Sequence, residues 1–455
     1  MATTRLTKTF SGNGDRQKFT LSMWIKRSST SQNFIFTSGS YNSTSMNQMY
    51  FDNSGLLAMY TYNSSGSVLS NIETNRKFRD VSAWYHIVLR VDTTQSTAAD
   101  RLRLYVNGTQ ETSLASTTYP SQNANYLYSE SITAQYFGQR ADAGNSSSFE
   151  GSMSHIHMCD GYSYDASSFG ETDTTTGEWK IKTSPSVSYG TNGYWILKDG
   201  NSLTDASPNS NNFAVGAGTL TPTEDCPDNV FPTMNPLAPG NSSLTFTNGN
   251  LHNGDQSPND WQAIPATMAA FTGKFYWEYK IEGVWGNTSQ ISHRHGIANM
   301  FATLNNNPGN GDVAWTDDPY AIGWQNTSGI RYNNSVTMTS EFGTYVANDI
   351  LMFAMDLTNK KLYFGKNGTW LNSGAPTSGS TGTGAYSIPD LGKGGIWGPY
   401  SETKYGSDKV AWNMGNGYFK STVISSEGTN ASNLGKFEYD VPTGYSALCT
   451  KGLNE

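Results

Sequence analysis

Two pairs of histidines have a spacing that could bring them together on a metal ion. His155 and His157 are separated by one residue in a predicted strand. His293 and His295 repeat that spacing in another. Side chains two residues apart on a strand share a face, so each pair could offer two imidazoles to zinc. A zinc site needs a third ligand, and the three cysteines have no metal-type spacing. We therefore interpret these residues as histidines on strand surfaces and predict no metal ligands.

Acidic residues that could hydrolyse a glycoside occur only in turn-rich sequence. Glycoside hydrolysis needs two carboxylates that are close in space, at no fixed sequence spacing. Three candidate pairs exist: Glu171 with Asp173, Glu224 with Asp225, and Asp317 with Asp318. Polar loops explain all three better. The chain has no Gly-x-Ser-x-Gly elbow, no His-Glu-x-x-His motif and no phosphate loop. No catalytic residues are predicted, and the protein is expected not to be an enzyme.

Aromatic residues in polar loops are the strongest candidates for ligand binding. An aromatic ring can pack on the apolar face of a sugar, while nearby amides and carboxylates pair with its hydroxyls. The candidate ligand-binding residues lie among Gly, Asn, Ser and Pro: Trp315, Tyr332, Trp397 and Tyr400. Packing beneath long loops is the alternative for these four. Trp324 and Trp370 end predicted strands, so we expect them in the core.

The elements that must position these side chains are predicted to be β-strands. Residues 349–370 begin with alternating apolar residues, which is typical of a strand with one buried face. A turn and a second strand follow, and Asn367-Gly368 then tolerates the positive φ of a tight turn. Residues 84–108 repeat this order. The two hairpins are far enough apart for each to centre its own antiparallel sandwich.

The composition fits such a protein and excludes several classes. The 455 residues predict two or three domains, and only 15% are charged, so Ser, Thr, Asn and Gly dominate the surface. A net charge of -8 without a basic patch disfavours nucleic-acid binding. No apolar run approaches the ~18 residues that a membrane span needs. The first residues show no apolar signal region, and no disulfide scaffold is indicated.

The first module resembles a known lectin-type family. Five segments occur in the order of the concanavalin-like laminin-G/pentraxin jelly roll: Phe19 to Trp24, Trp84-Tyr-His-Ile-Val, Leu104-Tyr-Val-Asn-Gly, Phe137-Gly-Gln-Arg and Phe149-Glu-Gly-Ser-Met-Ser-His-Ile. The resemblance implies glycan binding, sometimes through calcium. Asp52, Asp92 and Asp142 lie near loops but form no spaced calcium loop. No cofactor is therefore predicted, and calcium stays open through the resemblance alone.

The second module resembles a SPRY domain. The matching segments are Gly273-Lys-Phe-Tyr-Trp-Glu, His295-Gly-Ile-Ala, Ala321-Ile-Gly-Trp, the hairpin at 349–370 and Trp412-Asn-Met-Gly. The resemblance implies a binding scaffold whose edge loops recognise protein or glycan partners. It carries over no catalytic residues.

Turn formers and prolines fill the sequence between the modules. Residues 161–260 are predicted to be a turn-rich connector packed between the modules. This stretch resembles segments that join such modules in virion and tail proteins of bacteriophages, notably those of marine cyanobacteria. Residues 421–455 are predicted to be a C-terminal tail, of which 437–445 could add a strand to a neighbour.

The predicted fold is all-β, with two concanavalin-like antiparallel sandwiches: a laminin-G-like jelly roll at 1–160 and a SPRY-like sandwich at 261–420. The expected function is that of a non-enzymatic phage virion protein, a tail fibre or similar appendage that attaches to a host surface glycan or protein. Capsid decoration without a receptor and a polysaccharide depolymerase are the alternatives. The predicted partners are other virion proteins and the host receptor, with no nucleic acid and no membrane insertion. The expected location is the virion, assembled in the host cytoplasm. A homo-oligomer is expected; a trimer is plausible, but no heptad repeat fixes the number.

Overall fold

The computed structural model describes residues 4–39, 45–126, 128, 130, 133–140, 148–198, 202–238, 244–256, 261–284, 292–300, 321–326, 329–332, 337–338, 343–392 and 395–454. The chain forms two compact units. Unit 1 comprises Met1–Pro222 and Cys226–Asp228, and unit 2 comprises Thr223–Asp225 and Asn229–Glu455. Among the described residues, no helix is long and apolar enough to cross a membrane.

Unit 1 is built from antiparallel strands. They are β1 (Arg5–Lys8), β2 (Lys18–Arg27), β3 (Asn33–Gly39), β4 (Met46–Phe51), β5 (Leu56–Tyr62), β6 (Val68–Lys77), β7 (Trp84–Asp92), β8 (Leu102–Val106), β9 (Thr109–Gln110), β10 (Leu114–Thr118), β11 (Gln135–Phe137), β12 (Gly151–Asp160), β13 (Gly170–Thr172), β14 (Trp179–Ile181), β15 (Tyr194–Ile196) and β16 (Ala214–Ala217). Short 3-10 helices cover Ala98–Asp100 and Ala166–Ser168.

Two sheets of unit 1 enclose its core. The eight-stranded sheet has the order β10-β6-β5-β4-β3-β11-β1-β16, and the six-stranded sheet has the order β15-β12-β2-β7-β8-β9. Apolar residues alternate along β2, and Leu21, Met23 and Ile25 all lie in the core cluster. The hairpin of β13 and β14 forms a small separate sheet.

Unit 2 is also an antiparallel sandwich. Its strands are β17 (Leu244–Thr247), β18 (His252–Gln256), β19 (Gln262–Pro265), β20 (Lys274–Gly283), β21 (His293–Asn299), β22 (Ala321–Gln325), β23 (Gly329–Tyr332), β24 (Thr337–Met338), β25 (Ile350–Asp356), β26 (Lys361–Lys366), β27 (Thr369–Trp370), β28 (Tyr386–Ser387), β29 (Trp397–Thr403), β30 (Lys409–Asn413), β31 (Tyr418–Phe419), β32 (Thr422–Val423) and β33 (Ser446–Ala447). Short 3-10 helices cover Pro376–Thr381 and Gly452–Asn454.

Two large sheets form the sandwich of unit 2, and apolar residues alternate along their long strands. One sheet has the order β17-β18-β30-β20-β25-β26-β27, with β28 on β26 and β33 on β20. The other has the order β19-β29-β21-β22-β23-β24. The central hairpin is confirmed, since β25 pairs with β26 in register and the turn residues Asn367 and Gly368 have φ of 49° and 84°.

Strands extend into the stretch that the sequence presents as a connector. Within it, β15 pairs with β12 and β16 pairs with β1, both in unit 1. Within residues 229–260, β17 pairs with β18 in unit 2. The C-terminal tail likewise folds onto its own unit, where β33 pairs in parallel with β20. Residues near the C-terminus, far along the chain from β20, therefore complete this sheet of unit 2.

Candidate functional site

The outward side of the eight-stranded sheet of unit 1 carries aromatic residues. Phe51 of β4 and Met59 of β5 are buried in the core. Successive side chains of a strand point to opposite faces, so Tyr50, Tyr60 and Tyr62 point away from the core. All three are half-buried, which leaves part of each ring on the surface. The sheet therefore presents apolar rings where a solvent-facing strand would ordinarily carry polar side chains.

These tyrosines continue a row of rings that starts at Phe34, which is itself buried, and we call the four residues the aromatic face. The ring centroids of Phe34 and Tyr50 are 5.0 Å apart, those of Tyr50 and Tyr60 are 6.2 Å apart, and those of Tyr60 and Tyr62 are 5.7 Å apart. The planes of successive rings differ by 28°, 29° and 12°. Such offset, nearly parallel rings hold one another in place. The aromatic face is therefore a fixed row of rings that crosses three strands.

Hydrogen-bonding groups lie between the rings. The hydroxyl of Tyr60 donates to Oε2 of Glu73 at 2.8 Å. Nε2 of Gln48 lies 3.4 Å from the hydroxyl of Tyr62 and donates to it. A carboxylate, an amide and phenolic hydroxyls thus share one surface with the aromatic rings. This is the mixture of apolar and polar groups that fixes the orientation of a bound polar ligand.

The electrostatics of the aromatic face keep its phenols protonated. Burial, followed by the hydrogen bond to Glu73, raises the pKa of Tyr60 to about 12. Burial, together with its tyrosine neighbours, also raises the pKa of Tyr50 above the ordinary value of 10.0. Both phenols therefore remain neutral hydrogen-bonding groups throughout the physiological pH range.

The two ends of the aromatic face differ in character. At one end the guanidinium of Arg140 lies 5.2 Å from the ring centroid of Phe34, within the range of a cation–π contact. At the other end Val68 pairs with Tyr62 across the strands and is 44% exposed, and its neighbour Leu69 is 48% exposed. A ligand that lies along the row would meet a cation at one end and an apolar surface at the other.

The structure places the predicted aromatic candidates away from solvent or outside its described part. Trp397 is 2% exposed and Tyr400 is 0% exposed, so neither ring offers a free face for a sugar. Trp315 lies outside the described residues. Tyr332 belongs to β23, but the structure does not describe its side chain. Trp397 and Tyr400 are therefore core residues, and the ligand-binding role expected for Trp315 and Tyr332 stays a prediction.

Tyr400 has a structural role that explains its burial. Its hydroxyl donates to Oε1 of Glu402 at 2.9 Å, and Nη1 of Arg294 donates to Oε2 of the same carboxylate at 3.0 Å. The guanidinium of Arg294 lies 4.1 Å from the ring centroid of Trp261. Buried charges are stable when paired and hydrogen-bonded in this way. Trp324 is fully buried as predicted, and Trp370 is half-buried.

The histidine pairs are buried in polar chains. His293 and His295 approach each other at 3.3 Å, and they continue to Asp408 at 3.1 Å and to Oγ of Ser401 at 2.9 Å. All four residues are 0% exposed. Burial, followed by the charge of His293, lowers the pKa of His295 well below 6.5. This histidine pair has no solvent exposure, so it packs in the core and does not face a substrate.

The other pair differs from the prediction in its backbone. His155 has a φ of 47°, and the register of β12 shifts between Ser154 and His157. This bulge interrupts the regular alternation of the strand, but the rings of both histidines lie near Trp195, with centroid distances of 6.2 Å for His155 and 4.9 Å for His157. His157 also lies 2.9 Å from the hydroxyl of Tyr189. Among the described residues, no group of three or more His, Cys, Asp or Glu could hold a metal ion.

The acidic residues considered for calcium are occupied in turns. Oδ1 of Asp52 accepts the backbone N–H of Ser54 and of Leu56 at 2.9 and 2.7 Å. Asp92 accepts from the backbone and side chain of Thr94, and its Oδ2 lies 3.8 Å from Nζ of Lys18. Asp142 lies outside the described residues. The two described carboxylates thus fix loop conformations.

Sequence reasoning does not identify the aromatic face, because it predicts aromatic residues of strands to lie in the core. The signal was nevertheless present in the sequence. Since Phe51 and Met59 occupy the core side of their strands, their neighbours Tyr50 and Tyr60 must occupy the opposite side. Large aromatic residues on the polar side of two consecutive strands would have identified this surface.

Comparison with known proteins supports the lectin-type fold of unit 1. Residues 4–162 match the concanavalin A-like lectin/glucanases superfamily. This segment carries the concanavalin-like fold that its motifs predict. No curated protein matches the chain.

Three solved structures are among those similar to parts of the chain. A native heptameric SAP-like pentraxin from Limulus polyphemus is 18% identical, with 36% of this chain and 72% of that chain covered and a TM-score of 0.27. The SPRY domain of human HERC1 is 13% identical, with 37% and 91% covered and a TM-score of 0.28. A human SPRY domain is also 13% identical, with 38% and 94% covered and a TM-score of 0.26.

Proposed function

We propose that this chain is a non-enzymatic glycan-binding protein of a phage particle, a tail fibre or similar appendage that attaches to the host surface. The observation that carries the proposal is the aromatic face of unit 1. Its rings can pack on the apolar faces of sugar residues, while Glu73 and Gln48 accept from and donate to their hydroxyls. The match of residues 4–162 to a superfamily of lectins and glucanases supports a carbohydrate as the ligand.

The length of the aromatic face favours a chain of sugars over a single sugar. The three partly exposed rings, Tyr50, Tyr60 and Tyr62, have successive centroid distances of 6.2 and 5.7 Å, so the row spans more than one sugar ring. An open sheet surface also admits the middle of a polymer, which a closed pocket would not. We infer that unit 1 binds an extended polysaccharide such as the envelope glycan of a bacterium.

The assignment to a phage particle has separate support. Only 15% of the residues are charged, which suits contact through hydroxyls and amides. The chain repeats the sandwich architecture in two units, as expected for an appendage that binds and connects. Residues 161–260 resemble segments that join such modules in phage virion proteins. The proposed partners are the host glycan and other virion proteins, within a homo-oligomer.

The test is binding of the purified full chain to an array of bacterial surface polysaccharides and to intact candidate host cells. We expect saturable binding to at least one polysaccharide, and competition with phage adsorption on the cells that carry it. A calcium chelator in a parallel arm tests whether a cation contributes.

Each alternative role predicts a different result. Docking to capsid shells without glycan binding would indicate capsid decoration and contradict the proposal. Release of oligosaccharides from the bound polysaccharide would indicate a depolymerase and contradict its non-enzymatic part. Absence of binding to any polysaccharide or susceptible cell would overturn the proposal as a whole.

A further inference from the structure

A second surface with the features of a ligand site lies in unit 2. A cleft of about 520 Å³ opens between the start of β20 and the C-terminal segment. Its volume is within the range of small-molecule sites. Gly273 and Lys274 form one side, and the chain around Ser432 and Gly444 to Ser446 forms the other. The aromatic face belongs to unit 1, so the two surfaces are separate.

A positioned cation dominates the chemistry of the cleft. Nζ of Lys274 lies 3.0 Å from Oδ2 of Asp356 and 5.7 Å from the ring centroid of Tyr445. Asp356 is 1% exposed and also accepts from the backbone and side chain of Asn359 at 2.8 and 2.7 Å. The buried carboxylate therefore anchors the ammonium, while the side chain of Lys274 remains 29% exposed.

The rest of the lining suits a hydroxylated ligand. Oγ of Ser432 donates to Oδ1 of Asn430 at 2.8 Å and accepts the backbone N–H of Leu434 at 3.2 Å, which orients the hydroxyl and leaves one of its two lone pairs to accept from a ligand. Gly444 has a φ of 84°, and a Cβ built there would meet no atom within 4 Å. Among the described residues that line the cleft, Lys274 carries the only charge. The cleft thus combines an open backbone, hydroxyls and one cation.

Hydrogen bonds hold the C-terminal segment, which forms the side of the cleft opposite Lys274, at several points. Backbone N–H groups of Glu438 and Tyr439 donate to the buried carboxylate of Glu278 at 2.9 and 2.8 Å. The hydroxyl of Tyr445 donates to the carbonyl of Pro376 at 3.1 Å. A site whose groups are fixed before binding loses less entropy when the ligand arrives.

We propose that this cleft binds an acidic sugar unit, with the carboxylate of the sugar on Lys274 and its hydroxyls on the serine and backbone groups. A negative ligand is favoured because an ammonium has three N–H donors and the contact to Asp356 uses one of them, while the side chain of Lys274 is 29% exposed. The site goes beyond the proposed function, since it adds a selective acidic-sugar site to a protein whose aromatic face packs against uncharged ring surfaces.

The test is titration of the full chain with glucuronic acid and, separately, with glucose, by ligand-observed nuclear magnetic resonance at pH 7. The two sugars differ by one carboxylate. We expect glucuronic acid to bind at least about tenfold more tightly, and Lys274→Met to remove that difference. Lys274→Arg should retain it because the positive charge remains.

Lys274→Met leaves the buried carboxylate of Asp356 without its ion-pair partner and so could prevent folding. A second variant, which fills the cleft with a side chain, keeps the proposal testable in that case. Gly444→Asn places a side chain in the open cleft, and asparagine tolerates positive φ better than most residues. The control is Gly343→Asn, at another open glycine with a φ of 64° outside the cleft. We expect the first variant to weaken glucuronic acid binding about tenfold and the control to preserve it. Equal binding of the two sugars, no saturation by either, or unchanged binding in Gly444→Asn would overturn the proposal.

Discussion

Replacing Glu278 with glutamine should release the C-terminal segment of unit 2. The carboxylate of Glu278 is 0% exposed and accepts four hydrogen bonds, two at each oxygen. Those at Oε1 come from the hydroxyl of Tyr276 and the backbone of Tyr439, and those at Oε2 come from Asn413 and the backbone of Glu438. It thereby ties β20 to a segment 160 residues further along the chain.

The magnitude follows from the loss of one acceptor. Glutamine keeps one acceptor oxygen. Its NH2 group replaces the other oxygen and cannot accept the two hydrogen bonds that this oxygen receives in the wild-type chain. At least one partly buried backbone N–H, that of Glu438 or of Tyr439, then loses its acceptor, at a cost of about 1–3 kcal/mol. A cost of ~2 kcal/mol corresponds to about 30-fold faster opening of the contacts of this segment.

Hydrogen exchange of the amides of Glu438 and Tyr439 measures this opening directly. We expect Glu278→Gln to accelerate their exchange by about 30-fold at pH 7. The matched control is Glu282→Gln on the same strand, where the carboxylate is partly exposed and pairs with Lys420 at 3.7 Å. This control should change stability by less than about 0.5 kcal/mol. Equal exchange in both variants would refute the anchoring role of Glu278.

The pH dependence provides a second readout of the same carboxyl group. Burial raises the pKa of Glu278 from 4.5 to about 7, although its four donors favour the charged form. The unfolded chain therefore ionises first as pH rises, and the free energy of unfolding should fall between about pH 4.5 and pH 7 and level off above it. Glu278→Gln should lack this component in urea unfolding curves. If the contribution of Glu278 to the free energy of unfolding instead increased with pH, the raised pKa of this carboxyl group would be contradicted.

Two further substitutions test the packing described above, both by urea unfolding followed by tryptophan fluorescence. Trp397→Ala should destabilise unit 2 by about 3–5 kcal/mol without reducing polysaccharide binding, because the ring is buried in the core. Unchanged stability together with lost polysaccharide binding would instead identify Trp397 as a ligand contact. Gly170→Ala should cost about 1–3 kcal/mol, because its Cβ would lie 2.5 Å from the ring of Trp179, whereas Gly12→Ala meets no atom within 4 Å and should be neutral; equal effects would contradict the close approach.

Periodicity predicted the parts of the fold in which a long apolar pattern and a turn signal agree. The hairpin of β25 and β26 is the clearest case, because Leu351, Phe353 and Met355 alternate and Asn367-Gly368 forms the tight turn that follows β26. β15 and β16 were hidden, because strands of three and four residues carry no measurable period. Their pairing depends on β12 and β1, which local sequence does not reveal.

The candidate site was predictable only in part for a related reason. Composition and motifs pointed to sugar contact through aromatic residues, but they did not locate the surface. Loop position suggested Trp397 and Tyr400, which tertiary packing buries. The local sequence around His155 likewise predicts regular alternation and does not reveal the bulge there. Strand register and long-range packing decide which side chains reach the surface, and a single sequence encodes both only indirectly.

The most direct test of the central claim is the affinity of Tyr60→Ala for a polysaccharide that the wild-type chain binds. Tyr60 lies in the middle of the aromatic face, where its ring packs against both Tyr50 and Tyr62. The control is Tyr162→Ala, since this residue is a 41% exposed tyrosine of unit 1 outside the aromatic face. We expect Tyr60→Ala to weaken binding at least about tenfold and Tyr162→Ala to leave it unchanged. Wild-type affinity in Tyr60→Ala would show that the glycan binds elsewhere.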